Sequence, residues 1–458
     1  MKNYLINTCL CLSTFSFSAC QKWLDAKPDI SIGIPASLKD FQLMMDNTGN
    51  LNQGWPWLTE IAADYTVFND TYYPTAWDQA KNAYTWSHTY PYTASLDWGG
   101  GGSAPYQKTL IVNTVLDGLT RIQLDGIVEI QQYNNIRGQA LFTRAKAFYE
   151  LAQEFAPPYD ELTAATDLGI PLRLAPDISV LSQRSTLATT YTQIIADLKL
   201  AKDLVPVNQI YKTRASKPAC FAMLARVYLS MRKYNEAKIA ADSCLALYNT
   251  LIDYRKLNVS SPYPFNQLNE EVLYHNTIVN TTSNGNTLLV DSSLYNSYAY
   301  NDLRRSLYFN TLNGRGYIFK GSYAGNILMF NGLATDEVYL IRAECLAREG
   351  QMLAALKDLN ILMVNRWKDG AFTEFTAGSA DEALVLILAE RKKELLRRNT
   401  RWTDLRRLNK EPKFAITIRR VINGTIINLE PNSYRYTFPI PDDIIAMTGM
   451  QQNQGWPQ

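Results

Sequence analysis

The chain is expected to fold as a mainly α protein: tetratricopeptide-like helical pairs carrying a loop-rich irregular layer with a few short strands. Three observations predict this. A small-residue spacing suited to two closely packed antiparallel helices occurs at 219–247 and again at 337–363. Between them, residues 248–336 lose helical periodicity and fill with Asn, Ser, Tyr and Gly. Hydrophobic residues make up 47% of 458 residues, enough for a substantial core.

The first element is a leader. Lys2 is followed by an apolar stretch with Leu5, Ile6, Leu10, Leu12, Phe15 and Phe17, then Ser18-Ala19-Cys20. Small residues before a Cys are the layout of a bacterial lipoprotein signal, and the stretch is too short and too interrupted to span a bilayer. The expectation is removal of residues 1–19, lipidation of Cys20, and export to a membrane surface. An ordinary secretory signal with an incidental Cys is the alternative. Residues 20–458 then read as one domain, with an amino-terminal part to about 210 and a carboxy-terminal part from about 211.

Residues 65–98 hold ten aromatics, among them Tyr72, Tyr73, Trp77, Trp86 and Trp98. Flat aromatic faces complement the apolar faces of sugar rings, and nearby Asn69, Asp70, Asp78, Asn82 and Asp97 could meet hydroxyls. The alternation Tyr84-Trp86 equally suits packing in a core. Gly99-Gly100-Gly101-Gly102 reads as a flexible loop, because no Lys follows at phosphate-loop spacing.

An amphipathic helix is expected over 138–155, with Leu141, Ala145 and Phe148 on one face. Its partner is expected over 187–204, after an insertion holding Pro157, Pro158, Pro171 and Pro176. The two later pairs share a register. Ala225 and Ala237 are twelve residues apart, as are Ala343 and Ala355. Asn423-Gly424, between two β-branched runs, predicts a hairpin. Asn-Gly pairs at 284–285, 313–314 and 331–332 mark turns in the irregular half, where Tyr295, Tyr298 and Tyr300 form a second aromatic stretch.

Other chemistries find little support. A net charge of +2 gives no field for nucleic acid. Cys220, Cys244 and Cys345 are odd in number and lie among apolar helical residues, which suits buried thiols better than a disulfide framework. Only His88 and His275 could serve a zinc site or a Ser-His-Asp triad. No metal or cofactor is expected. Ser230 and Lys233 match an S-x-x-K spacing without its companion motifs. Glu390 and Glu394 share a helix face, but Arg391, Arg398 and the Asp404–Arg407 pair around them predict a packed polar network rather than a catalytic pair.

The ordered motifs resemble the SusD/RagB family of Bacteroidetes outer-membrane nutrient-binding lipoproteins. They begin with Cys20-Gln-Lys-Trp-Leu-Asp and Ile34-Pro-Ala-Ser-Leu-Lys-Asp-Phe41. They continue with Arg137-Gly-Gln-Ala-Leu-Phe-Thr-Arg-Ala-Lys-Ala-Phe-Tyr149, Ala222-Met-Leu-Ala-Arg-Val-Tyr-Leu229 and Glu337-Val-Tyr-Leu-Ile-Arg-Ala-Glu344. Glu390-Arg-Lys-Lys-Glu394, Arg401-Trp-Thr-Asp-Leu-Arg-Arg407, Phe438-Pro-Ile-Pro441 and Gln452-Asn-Gln-Gly-Trp456 complete the order. The chain departs from the family pattern at Arg398-Asn399-Thr400, Thr403 and Trp456.

The resemblance implies a SusD-like α-α superhelix with a loop-rich ligand surface. It implies a lipid-anchored protein at the cell surface that captures an oligosaccharide, or a peptide, and hands it to a SusC-like TonB-dependent barrel without a catalytic step. The residues expected to meet ligand are Trp77, Trp86, Trp98, Tyr72, Tyr73, Asn82, Tyr295 and Tyr298. Two other classes stay open. A tetratricopeptide scaffold binding only proteins would leave the 65–98 aromatics unexplained. A surface glycoside hydrolase would need two carboxylates about 5–10 Å apart in a cleft.

Overall fold

Helices form the scaffold of the chain. In chain order they are α1 (Leu38–Met45), α2 (Pro105–Leu119), α3 (Gly126–Phe155), α4 (Leu187–Leu204), α5 (Lys217–Ser230) and α6 (Tyr234–Leu247). There follow α7 (Thr335–Arg348), α8 (Met352–Met363), α9 (Ala380–Glu394), α10 (Arg401–Leu408) and α11 (Asp442–Thr448). The computed structural model describes residues 35–54, 56–278, 288–312 and 314–457. Cys20, the leader and Asn284-Gly285 lie outside the described residues. No helix among the described residues is long and apolar enough to cross a membrane.

The three expected pairs form: α3 with α4, α5 with α6, α7 with α8. Their starts follow from local chemistry. The hydroxyls of Ser37, Thr186, Ser216 and Ser379 accept N–H groups in the first turns of α1, α4, α5 and α9, satisfying donors that a helix leaves orphaned. Asp40 completes a capping box on α1 by accepting from the Ser37 N–H at 3.0 Å. The inter-helix turns each need one left-handed residue. Gly350 supplies it between α7 and α8 (φ 80°), and Arg232 adopts it between α5 and α6 (φ 60°).

Bidentate arginine–carboxylate pairs clip the layers together. Arg144 on α3 holds Asp197 on α4 at 2.7 and 2.8 Å. Arg342 on α7 holds Asp358 on α8 at 2.6 and 2.7 Å. Arg226 on α5 reaches Glu337 on α7 at 2.8 and 2.5 Å. The planar guanidinium fork fixes both distance and orientation in such pairs.

Helix α3 starts twelve residues before the expected 138. Its first turns put Ile127, Val128 and Ile130 into solvent, so no apolar stripe announces them.

Ala225, Ala237, Ala343 and Ala355 are all fully buried at the pair interfaces. Leucine at Ala225 or Ala355 is expected to push paired helices apart and cost about 1–3 kcal/mol. Thermal melting checks this, and two neutral variants would contradict the packing.

The irregular half is built on small sheets. The largest runs Thr66–Val67, Leu289–Val290, Gly316–Phe319, Phe309–Leu312, all antiparallel. Another pairs Gln53–Gly54 in parallel with Thr277–Ile278, which also pairs antiparallel with Met329–Phe330. The 423–424 hairpin joins Ile418–Ile422 to Thr425–Leu429, with Asn423 and Gly424 at φ 47° and 78°. Asn331-Gly332 does not make a hairpin. It links strands of two different sheets, and a Cβ on Gly332 would lie 2.1 Å from the Tyr274 carbonyl oxygen.

Candidate functional site

The amino-terminal aromatic segment forms a platform whose base is buried. Phe68 stacks on Tyr84 with ring centroids 4.4 Å apart, and Tyr72 meets Phe68 edge-on at 5.1 Å. Below them lies Arg420, its guanidinium 3.8 Å from the Tyr84 ring centroid and 4.4 Å from that of Trp86. Arg420 donates to the carbonyls of Ile61, Ala62 and Ala63 at 2.8–3.0 Å, closing the carboxyl end of the Leu58–Ala62 helix. Burial holds this arginine down to about 9, despite the opposing pull of Tyr84 and Asp64.

The loop above is pinned by its own polar residues. Asn69 Oδ1 accepts the Tyr72 N–H at 2.7 Å. Asp70 accepts the Asn423 N–H at 3.1 Å, tying the loop to the hairpin turn. At the loop's end Trp77 lies nearly parallel to Trp57, with centroids 5.6 Å and planes 7° apart. Trp57 is buried, and its backbone N–H donates to Asp97 at 3.1 Å. Trp77 itself is 40% exposed, the only exposed tryptophan among the described residues. Tyr72 and Tyr73 beside it are half-buried.

The second aromatic segment joins the first through the four-stranded sheet. Thr66 faces Val290 in register, and the Asp291 N–H donates to the Tyr65 carbonyl at 2.8 Å. Asp291 caps the short helix Ser292–Asn296, which carries Tyr295. Tyr295 is half-buried, stacked 3.6 Å from Tyr317, and Arg305 lies 4.4 Å from its ring centroid. Tyr300 is 80% exposed, with the Lys368 ammonium 4.3 Å from its ring centroid.

Other expected ligand residues are corrected by their burial. Trp86 is a core residue, its indole N–H donating to the Ala62 carbonyl at 3.1 Å. Asn82 is fully buried and spends its amide on the Tyr90 backbone at 2.7 and 3.2 Å. Tyr298 is buried and donates to the Lys393 carbonyl at 2.8 Å. Each is buried and spends its polar group on a nearby backbone group, so none presents a face to a ligand. Trp98 is also largely buried, against Phe155 and Tyr106 at 5.0 Å each. Its remaining face lines a hollow of about 600 Å³. The Gly99-Gly100 stretch, expected to be a loose loop, is part of that hollow's wall.

Glu390 and Glu394 are buried in the expected polar network, but with distant partners. Glu394 accepts from Arg304 at 3.0 Å and from Arg366 at 2.7 Å. Glu390 accepts from Arg304 at 2.5 Å. Arg398 pairs instead with Asp336, and Arg391 with Asp404 at 2.8 Å. The Asp404–Arg407 contact is as expected, at 2.9 Å. Ser230 donates to the Val227 carbonyl at 2.7 Å and Lys233 pairs with Glu161, so they do not act together. Cys220, Cys244 and Cys345 are buried free thiols; burial pushes Cys244 up to about 12. Burial holds His275 down to about 4. No group of His, Cys, Asp and Glu suited to a metal occurs among the described residues.

Sequence reasoning did not find Trp57 as the support of Trp77, nor Arg420 beneath the platform. Arg420 lies more than 330 residues from Tyr84 and carries no local signal of that role.

Two family profiles match the chain: "Starch-binding associating with outer membrane" over residues 22–229, and the SusD family over 335–456. Among solved structures, a SusD superfamily protein from Bacteroides vulgatus is 20% identical, covers 93% of this chain and 100% of its own, and superposes with a TM-score of 0.74. One from Bacteroides thetaiotaomicron is 19% identical over 92% and 100%, with a TM-score of 0.73. A SusD-like carbohydrate binding protein from Bacteroides vulgatus is 19% identical over 91% and 97%, at 0.65. No curated protein matches the chain.

Proposed function

The chain belongs to the SusD/RagB family, and on that premise we propose that it is a cell-surface glycan-binding lipoprotein. In this reading Cys20 carries the lipid that tethers it to the outer membrane. The protein captures an oligosaccharide and delivers it to a SusC-like TonB-dependent transporter. Binding involves no bond cleavage.

The observation that carries the reading is Trp77. A tryptophan 40% exposed forgoes substantial burial, and here it is braced flat against a buried Trp57. Such bracing orders the ring before ligand arrives, so little rotamer freedom is lost on stacking against a sugar. Tyr72, Tyr73 and the exposed polar edges of Asp70 and Asp78 flank it. Tyr295 and Tyr300 belong to the segment tied to this one by the four-stranded sheet. The platform supports recognition of an extended chain, since Trp77 lies on the surface and lines neither the hollow of about 600 Å³ nor a second of about 550 Å³.

The test is affinity gel electrophoresis against a panel of soluble polysaccharides. Truncating a stacked aromatic costs more than about 1 kcal/mol, so Trp77→Ala is expected to weaken the retained glycan at least several-fold without unfolding the protein. The wild type is expected to leave that glycan uncut on prolonged incubation. Full affinity in Trp77→Ala, or product release that vanishes on mutating a carboxylate, would overturn the reading.

A further inference from the structure

The hollow beside Trp98 has a chemistry unlike that of the platform. It lies between α2, the segment 171–182, α11 and the turn Ser95–Gly99. Its volume, about 600 Å³, is that of a small-molecule site. Trp98 and Tyr106, with centroids 5.0 Å apart, make an aromatic floor. Leu110, Ile444, Met447 and Met450 add apolar side chains to the wall.

The larger polar side chains on the wall are already engaged. The Tyr106 hydroxyl donates to the Pro171 carbonyl at 2.8 Å. The Asn113 amide donates to the Arg173 carbonyl at 2.8 Å, and its oxygen accepts from Arg144 at 3.0 Å. The Arg173 guanidinium donates to Ser182 Oγ at 3.0 Å and to the carbonyls of Val180 and Asp177. Asp443 accepts the Ala94 N–H at 2.9 Å, and the Thr93 hydroxyl accepts from Gln79 at 2.7 Å. The Thr448 hydroxyl donates to the Ile444 carbonyl at 2.7 Å.

A sugar entering this hollow would lose water from its hydroxyls and find Tyr106, Asn113 and the Arg173 fork committed elsewhere, a penalty of order 1–3 kcal/mol per unmade bond. An apolar ligand loses nothing and covers the aromatic floor. The mouth is apolar as well: Ile178 is 81% and Met447 69% exposed. Burial of such residues on a ligand is favourable, and methionine adapts to its shape.

We propose that this hollow is a second binding site, separate from the glycan platform, for a small neutral apolar molecule bearing an aromatic or branched aliphatic group. The Arg173 clasp orders the segment that walls it, so the site exists before the ligand arrives.

The test is a fluorescence titration of the intact protein with N-phenyl-1-naphthylamine, a neutral aromatic probe. Saturable 1:1 binding is expected. The rim variant Ile178→Asp/Met447→Glu should weaken it at least tenfold with unchanged melting, because both positions are exposed. Ala175→Trp, a second exposed change that fills the mouth, should do the same. Trp77→Ala should leave probe binding intact, which separates this site from the platform. Non-saturable binding, unchanged affinity in the folded rim and mouth variants, or loss of binding in Trp77→Ala would overturn the proposal.

Discussion

Replacing Arg366 by Met is expected to cost about 3–5 kcal/mol of folding stability, because it strands the buried Glu271 carboxylate. Arg366 is fully buried and makes three contacts at once. It donates to Glu394 at 2.7 Å, to Glu271 at 2.7 Å and to the Ile252 carbonyl at 2.8 Å. Its guanidinium also lies 3.9 Å from the Tyr254 ring centroid. Burial alone would lower its affinity for the proton; Glu271 and Glu394 outweigh that and raise it well above the usual arginine value. Without it, Glu394 keeps Arg304 at 3.0 Å, and Glu271 keeps only neutral donors, the Tyr323 hydroxyl at 2.6 Å and the Ile252 N–H at 2.8 Å. Lysine should rescue only part of the loss, since an ammonium cannot reproduce the planar fork. Chemical denaturation of wild type, Arg366→Lys and Arg366→Met checks the order; equal stability in all three would contradict the network's role.

Stability is also expected to fall as pH rises from the ordinary carboxylate range towards neutrality, through Glu154 and Asp97. Glu154 on α3 is fully buried, and neither carboxyl oxygen has a hydrogen-bond partner within the protein. Asp97 is buried nearby, with one oxygen on the Trp57 backbone N–H and the other without a partner. Burial pushes both acids up. The charges of Asp97 and Glu150 raise Glu154 further, against the weaker pull of Arg406. That arginine spends its donors on the carbonyls of Gln153 and Ala156. The folded state therefore holds protons that the unfolded chain releases above about pH 4. Where the unfolded state binds fewer protons, stability declines with pH, by up to about 1.4 kcal/mol per unit for each group. The contribution is absent below the unfolded value and is complete once pH passes the raised folded value. Urea unfolding at pH 5 and pH 8 should show a smaller pH difference in Glu154→Gln than in wild type. Identical differences would mean that Glu154 is not protonated in the fold.

Local patterns identified the helical pairs, the hairpin and the family. Ala225 with Ala237, and Ala343 with Ala355, sit within single supersecondary units, and Asn423-Gly424 encodes its turn through two left-handed backbone positions. Signals of that range survive in the sequence because neighbours along the chain produce them. Helix α3 extends beyond its apolar stripe because its first turns are exposed and leave no burial pattern.

Tertiary structure decided which aromatics are available. Trp77 and Trp86 lie nine residues apart in equally aromatic surroundings, yet Arg420 and Ala62 enclose one while Trp57 lifts the other to the surface. Tertiary structure likewise gave Glu394 its partners at Arg304 and Arg366 rather than at its helical neighbours. It also closed the hollow at Trp98 with α11, some 350 residues away. Composition and spacing say what a residue can do. Exposure and pairing depend on what the rest of the chain brings against it, and those contacts come from elements that share no local register.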